Sequence, residues 1–358
     1  MNNRFFRIGA GILLIFLIIY VGSKIDWFFY PLAVLFQTLF IPFILALFFY
    51  YLLRPIVKFI NKKVPATLSV LLVYFVLTCI VIGFLVLIVP VLKNQFYGLI
   101  NSMPSIIAAI QNRLTNIQEM DIFKLEKLAE VLDLEHLFIE IQDLFNRLVR
   151  YFTANISSII GQLANTVISL VIVPFILFYL LRDGDRLAEV IINLFKEEKR
   201  ELARSILTDI DQTLSAYIQG HGLVCLCVGL LCYFAFLALG LEYALLLAVI
   251  AGVTEIIPYF GPWLGSIPAV IVGLFQSMGK AILVVIVIII VQQIESNFIT
   301  PQVIGRKMKM HPLIIMFLIL IAGRLVGLIG MILVVPFYAV SRVIFTYLIK
   351  IRKGEIKL

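Results

Sequence analysis

Six polar or charged side chains in the C-terminal half of the sequence stand among apolar neighbours: Glu255, Gln292, Gln293, Glu295, Asn297 and Arg324. Glu255 precedes a stretch broken by Pro258, Gly261, Pro262 and Gly265. The two glutamines, Glu295 and Asn297 fall at the end of an apolar run, and Arg324 lies just before Gly327 and Gly330. A charge held at mid-bilayer costs about 2.5–3.5 kcal/mol on insertion scales, so such groups pair, become neutral or face water. A carboxyl withdrawn from water favours its neutral form and is suited to carrying a proton. Carboxamides beside it both donate and accept, which suits the wall of an ion or solute pathway. Two structural alternatives stay open: Glu295 and Asn297 could cap a basic loop at headgroup level, and Arg324 could pair with a carboxylate instead of touching a ligand.

The elements that position these groups must lie in a bilayer. The 358-residue chain is 62% hydrophobic and 14% charged, whereas a soluble domain is about 45–50% apolar and 25% charged. Its mean hydropathy is +1.09. The net charge of +8 comes from Lys and Arg in short loops at the ends of apolar runs, a pattern that argues against nucleic acid as a partner. Cys79, Cys225, Cys227 and Cys232 sit within apolar runs and the three histidines are scattered, so neither a metal site nor a disulfide framework is expected. There is no phosphate-binding glycine loop, nucleophile elbow or HExxH pair; the reading is a non-enzyme without a cofactor.

Apolar runs occur near residues 5–23, 28–53, 66–92, 154–181, 217–240, 243–275, 280–296 and 312–349. The run at 243–275 is interrupted by the two prolines and two glycines after Glu255, leaving arms of about 15 residues, or roughly 22 Å, too short to span alone. A helical hairpin is expected there and a second at 312–349, where Gly327 and Gly330 make the break. Irregular backbone at membrane depth is tolerated only where protein buries it or water reaches it, and paired interrupted segments point to a transport site. The fold class is therefore all-α integral membrane, with about eight membrane segments including two Gly/Pro-interrupted hairpins. Four regions follow: membrane segments over 1–92, an extracytoplasmic segment over 93–153, a span and cytoplasmic helical stretch over 154–216, and a transport-type region over 217–350. Within 93–153, Leu134, Leu137, Phe138, Ile141, Leu144, Phe145 and Leu148 recur at helical spacing opposite Glu135, Glu140, Asp143 and Arg147, an amphipathic helix. It would cap the protein or a neighbouring subunit, or lie on lipid. Basic residues at 4–7, 54–63, 182–204, 306–309 and 342–353 place both termini in the cytoplasm of an inner or plasma membrane.

Three stretches resemble the autoinducer-2 exporter family of bacterial multi-pass membrane proteins. They are Glu255-Ile256-Ile257-Pro258-Tyr259-Phe260-Gly261-Pro262 with Gly265 and Pro268; Glu295-Ser296-Asn297-Phe298-Ile299-Thr300-Pro301-Gln302-Val303-Ile304-Gly305 leading to His311-Pro312-Leu313; and Gly327-Leu328-Ile329-Gly330 with Pro336. Pro174 to Gly184 and Tyr217-Ile218-Gln219-Gly220 are also similar. The resemblance implies about eight membrane segments, a homo-oligomer, and export of a small organic signal in some members, with sodium or lithium/proton antiport in others. The leading expectation is a secondary transporter exporting a small organic molecule. A sodium(lithium)/proton antiporter is the first alternative, and a membrane scaffold or assembly protein without flux, using residues 93–153 as its contact surface, is the second.

Overall fold

A computed structural model describes residues 26–99, 101–102, 172–303 and 311–355, with residues 11, 13, 14 and 17. Among these, regular structure is helical throughout and no strand occurs. In chain order the helices are α1 (Asp26–Ile60), α2 (Ala66–Leu99), α3 (172–193), α4 (Glu197–Ala238), α5 (Ala244–Thr254), α6 (Gly261–Gln276), α7 (Met278–Val303), α8 (Pro312–Val326) and α9 (Leu328–Arg352). Helices α2, α4, α7, α9 and the Thr38–Ile60 part of α1 are long and apolar enough to cross a membrane. Helices α5, α6 and α8 are not: at 1.5 Å per residue they reach about 17, 24 and 23 Å against roughly 30 Å of hydrocarbon. The all-α integral membrane fold is as the sequence predicts. Most of the first and fourth apolar runs lie outside the described residues, as does the amphipathic helix expected at 134–148.

Small side chains fill much of the helix–helix contact, beside a few large ones such as Phe236, Leu247 and Ile319. Val70, Val224, Val228, Val272, Val284, Ala269 and Ser69 are buried, while Phe75, Trp263, Phe317, Leu325, Phe337 and Phe345 face outward. Lipid is as apolar as leucine, so burying large apolar groups between helices gains little in a bilayer, and small residues that let backbones approach are favoured there. Gly252 of α5 fits against α4, where a Cβ would stand 3.0 Å from both the Cys225 carbonyl oxygen and the Gly229 Cα. Gly273 of α6 meets Ala281 of α7 in the same way.

Two helices widen to a single π-helical turn, at Phe84–Ile88 in α2 and Glu295–Ile299 in α7. Each ends two residues before a proline, Pro90 and Pro301. A proline has no N–H for the carbonyl four residues earlier and its ring crowds that carbonyl. The carbonyls concerned, of residues 86 and 297, both lie inside the widened turns, where the relaxed spacing accommodates the ring. Helix α2 therefore passes through Pro90 to Leu99, beyond the boundary expected at 92.

The stretch expected as helical before residue 217 is shared between two helices. The chain turns at residues 194–196, where the Leu194 and Phe195 amides bond back to Ile191 and Ile192, and α4 then runs 42 residues, about 63 Å, into the apolar region. Its first turn carries Glu197 and Glu198, which favour a helix N-terminus. Arg204 clamps Glu189 of α3 through hydrogen bonds of 2.7 and 3.0 Å.

Candidate functional site

The sequence around Glu255 folds as a hairpin because it cannot continue as a helix. Pro258 and Pro262 lack donors, and Tyr259 adopts the left-handed backbone region at φ 66°. The turn closes through Ile257 N to Thr254 O at 3.0 Å and Gly261 N to Ile257 O at 2.7 Å. A Cβ on Gly261 would overlap the Thr254 carbonyl oxygen and stand 2.6 Å from the Glu255 Cα, and one on Gly265 would stand 2.7 Å from the Ala251 Cα. Only glycine permits α5 and α6 to run back against each other at this distance.

This crossing drives Glu255 into the protein. At 5% exposure it is, with Ser69, one of two buried polar or charged residues among those described. Its Oε2 atom is buried without a hydrogen-bond partner. The carboxyl lines a narrow cavity with about 10 Å³ of room, about one water. Four helices converge there: Val228, Cys232 and Phe236 from α4, Ala251 from α5, Pro262, Gly265 and Ser266 from α6, and Ile288, Val291 and Gln292 from α7. The polar company of Glu255 is thus the Gln292 amide and the Ser266 hydroxyl, in walls otherwise apolar but for the Cys232 thiol. Among the described residues, no three or more His, Cys, Asp or Glu side chains group closely enough to hold a metal.

The other expected residues divide. Glu295, at the start of the widened turn of α7, is half-buried, accepts a hydrogen bond from the Thr300 hydroxyl, and lies within electrostatic range of Glu255. Gln293 and Asn297 are exposed on another side of the same helix, joined by a 2.8 Å bond from Asn297 Nδ2 to Gln293 Oε1. Arg324 is exposed in the last turn of α8. It lines neither of the cavities described here and makes no ion pair with a described residue.

The second hairpin forms as expected. Gly327, at φ 72° and ψ −151°, turns the chain between α8 and α9, a backbone region open essentially to glycine alone. A Cβ on Gly330 would lie 2.5 Å from the Ala322 carbonyl oxygen. The two hairpins meet: Val253 and Ile256 of the first and Ile332, Leu333 and Pro336 of the second line a common cavity of about 340 Å³. Ile257 also shares a buried cluster with Ile315 and Ile319 of α8.

Two groups of residues escaped the sequence reading. Tyr217, His221 and Cys225 line the larger cavity from α4; their four-residue spacing puts them on one helix face, a signal available in the sequence. The second is Arg54, which the sequence uses only for orientation. Its guanidinium bonds both carboxylate oxygens of Asp211 at 2.7 Å and Asp185 at 3.2 Å, and stacks over Tyr50. With Tyr347 donating to Asp209 at 2.8 Å, it gathers α1, α3, α4 and α9 at one end. Partners 131 to 157 residues away leave no local trace.

A bundle of apolar spans, two helical hairpins and a carboxyl buried at the turn of the first define a multi-pass membrane protein of the transporter class. The comparisons narrow the class: residues 12–350 match the family described as AI-2E family transporter, and the chain belongs to that family. It is 36% identical over 342 residues to "Putative transport protein YueF" of Bacillus subtilis, covering 96% of this chain and 93% of that one. It is 32% identical to "Putative transport protein YrrI" of the same organism, with 95% of each covered, and 27% identical to "Putative permease PerM" of Escherichia coli over 84% and 85%.

Proposed function

We propose that the chain is a secondary transporter that exports a small organic molecule, with Glu255 as the group that binds and releases the coupling proton. The observation that carries this reading is the buried Glu255 carboxyl, held by a helical hairpin with one oxygen unpartnered. A carboxylate left that way has lost water without gaining a full set of donors, so the site is suited to cycling between a bound and a released proton. Gln292 stands beside it to hydrogen-bond either form, the Ser266 hydroxyl, which donates to the Trp263 carbonyl at 2.9 Å, offers an acceptor to the protonated form, and Glu295 adds a second carboxyl in range. Gln293, Asn297 and Arg324 belong to the outer, exposed part of the pathway in this reading.

The contacts of Arg54 with Asp211 and Asp185, and of Tyr347 with Asp209, gather three of the basic stretches at one end, which supports a topology with that end and the C-terminus in the cytoplasm; the basic Arg4 and Arg7 extend this reading to the N-terminus and to a cell membrane. A homo-oligomer is consistent with the many large apolar side chains on the outer face, which lipid would equally cover.

A sodium(lithium)/proton antiporter is the second reading. It draws on the one-water size of the Glu255 cavity and on the nearby second carboxyl, a setting in which a small cation and a proton compete. Purified protein in liposomes with an internal pH dye separates the two. The proposal expects no response to sodium, lithium or potassium and a pH change on addition of the exported solute class. A pH change driven by a cation alone, and lost in Glu255→Gln, would replace the proposal with the antiporter.

A further inference from the structure

The larger cavity has no role in proton handling, yet it lies on the other side of the same α5 turn. Gly252, Val253 and Ile256 line it, while Ala251 and Glu255 line the narrow one. At about 340 Å³ it is within the size range of small-molecule sites, which are mostly apolar with a few placed polar groups. Its walls are apolar but for one stripe on α4, Tyr217, His221 and Cys225.

The stripe has specific chemistry. Tyr217 is 7% exposed and its hydroxyl is buried without a hydrogen-bond partner, an arrangement folded proteins rarely leave unsatisfied. His221 stacks on the Tyr217 ring at 5.3 Å between centroids and 16° between planes. Its Nε2 lies 3.2 Å from the Ile256 carbonyl oxygen. A carbonyl only accepts, so Nε2 carries the hydrogen and the neutral ring keeps an acceptor at Nδ1. Tyr217 thus supplies an unused donor and His221 an acceptor, on a surface with no charged side chain.

We propose that this cavity is the solute site, and that it takes an uncharged, largely apolar organic molecule with one hydrogen-bonding end, in preference to a polyhydroxylated or ionic one. The inference rests on the transporter reading above. Binding in the cavity presses on the α5 turn through Val253 and Ile256, and the His221–Ile256 bond ties the stripe to the residue next to Glu255. A sugar-like polyol would leave several hydroxyls facing leucine, isoleucine and phenylalanine walls, unpaired.

The test measures binding without flux. Purified protein in lipid nanodiscs is titrated with 1-aminoanthracene, an uncharged ring with one amine that fluoresces in apolar surroundings, with ribose as the polyol competitor. Saturable binding is expected, unaffected by ribose, weakened about five- to tenfold by Tyr217→Phe, the loss of one hydrogen bond. It is abolished by Gly222→Phe, which adds a ring on a cavity-lining face where a Cβ meets the Leu52 side chain at an ordinary 3.4 Å. In case Gly222→Phe does not fold, alkylation of Cys225 by monobromobimane gives a second readout: the probe slows it in the wild type while leaving the exposed Cys79 unprotected. Equal fluorescence in all variants and in empty nanodiscs, meaning probe dissolved in lipid, with unprotected Cys225, overturns the site. Displacement of the probe by ribose overturns the solute class. If binding fails while Glu255-dependent flux persists, the cavity assignment alone falls; binding without any flux would instead remove the transporter reading.

Discussion

The two hairpins share a sequence signature and differ in what they do with it. Both are apolar arms around a glycine-rich break, and both press helices together where a Cβ would collide with backbone, at Gly261 and Gly265 in one and at Gly330 in the other. The first turns through six residues and buries Glu255 and Ile257. The second turns at Gly327 alone and leaves Arg324, Leu325, Val326 and Leu328 exposed. A broken apolar segment therefore announces a hairpin without saying whether its tip faces protein or the outside. The length of the loop and its neighbours decide that. Six residues allow the Glu255 side chain to reach between α4 and α7, whereas a one-residue turn offers no such side chain.

This contrast can be broken by substitution. Gly261→Ala has the largest expected effect on folding, about 3 kcal/mol of destabilisation by overpacking, because the atoms in its way are backbone; a titration with sodium dodecyl sulfate in detergent measures it, and flux should be lost with it. Gly327→Ala should cost about 2 kcal/mol, the strain of a backbone region reserved for glycine, and keep most of the flux, since its tip holds no pathway group beyond the exposed Arg324. Equal loss of flux in both would mean that the hairpins are functionally alike. Arg54→Ala should destabilise by about 1–2 kcal/mol, reduced from a fully buried pair by the partial exposure of Asp211; the same titration reads it. Arg324→Ala should change stability by no more than about 0.5 kcal/mol, as for a surface site, and leave flux within about twofold of wild type. A larger loss there would make Arg324 more than a peripheral member of the pathway.

Much of this architecture was legible before the structure. Composition and run length give the all-α membrane fold, and arm length gives the first hairpin, because membrane thickness converts residue counts into geometry; the second was marked by its break at Gly327 and Gly330, since its longer arm could span alone. Glu255 could be singled out since a carboxyl beside a Gly/Pro break is hard to place in lipid. The division among the other polar residues was not legible: Gln292 and Gln293 are adjacent, and their exposure depends on the rotation of α7 against α4 and α6, which uniformly apolar neighbours do not reveal. The joining of the polar stretch from 197 with the apolar run from 217 in the single helix α4 was hidden for a similar reason: no Gly or Pro marks the turn at 194–196, and Gly220 and Gly222 at the start of the apolar run do not break the helix. The larger cavity brings α1 and α9, from opposite ends of the chain, against α4 and α5, although the Tyr217, His221, Cys225 spacing marked one wall.

The central claim is that Glu255, alone among the polar residues of the hairpins, couples transport to the proton gradient. The most direct measurement is solute flux in proteoliposomes under an imposed pH gradient, compared with flux at equal pH, for wild type, Glu255→Gln and Arg324→Gln. The account predicts that the gradient accelerates wild type and Arg324→Gln alike, and that flux through a folded Glu255→Gln protein is indifferent to it. Gradient-driven flux that survives undiminished in Glu255→Gln would contradict the account.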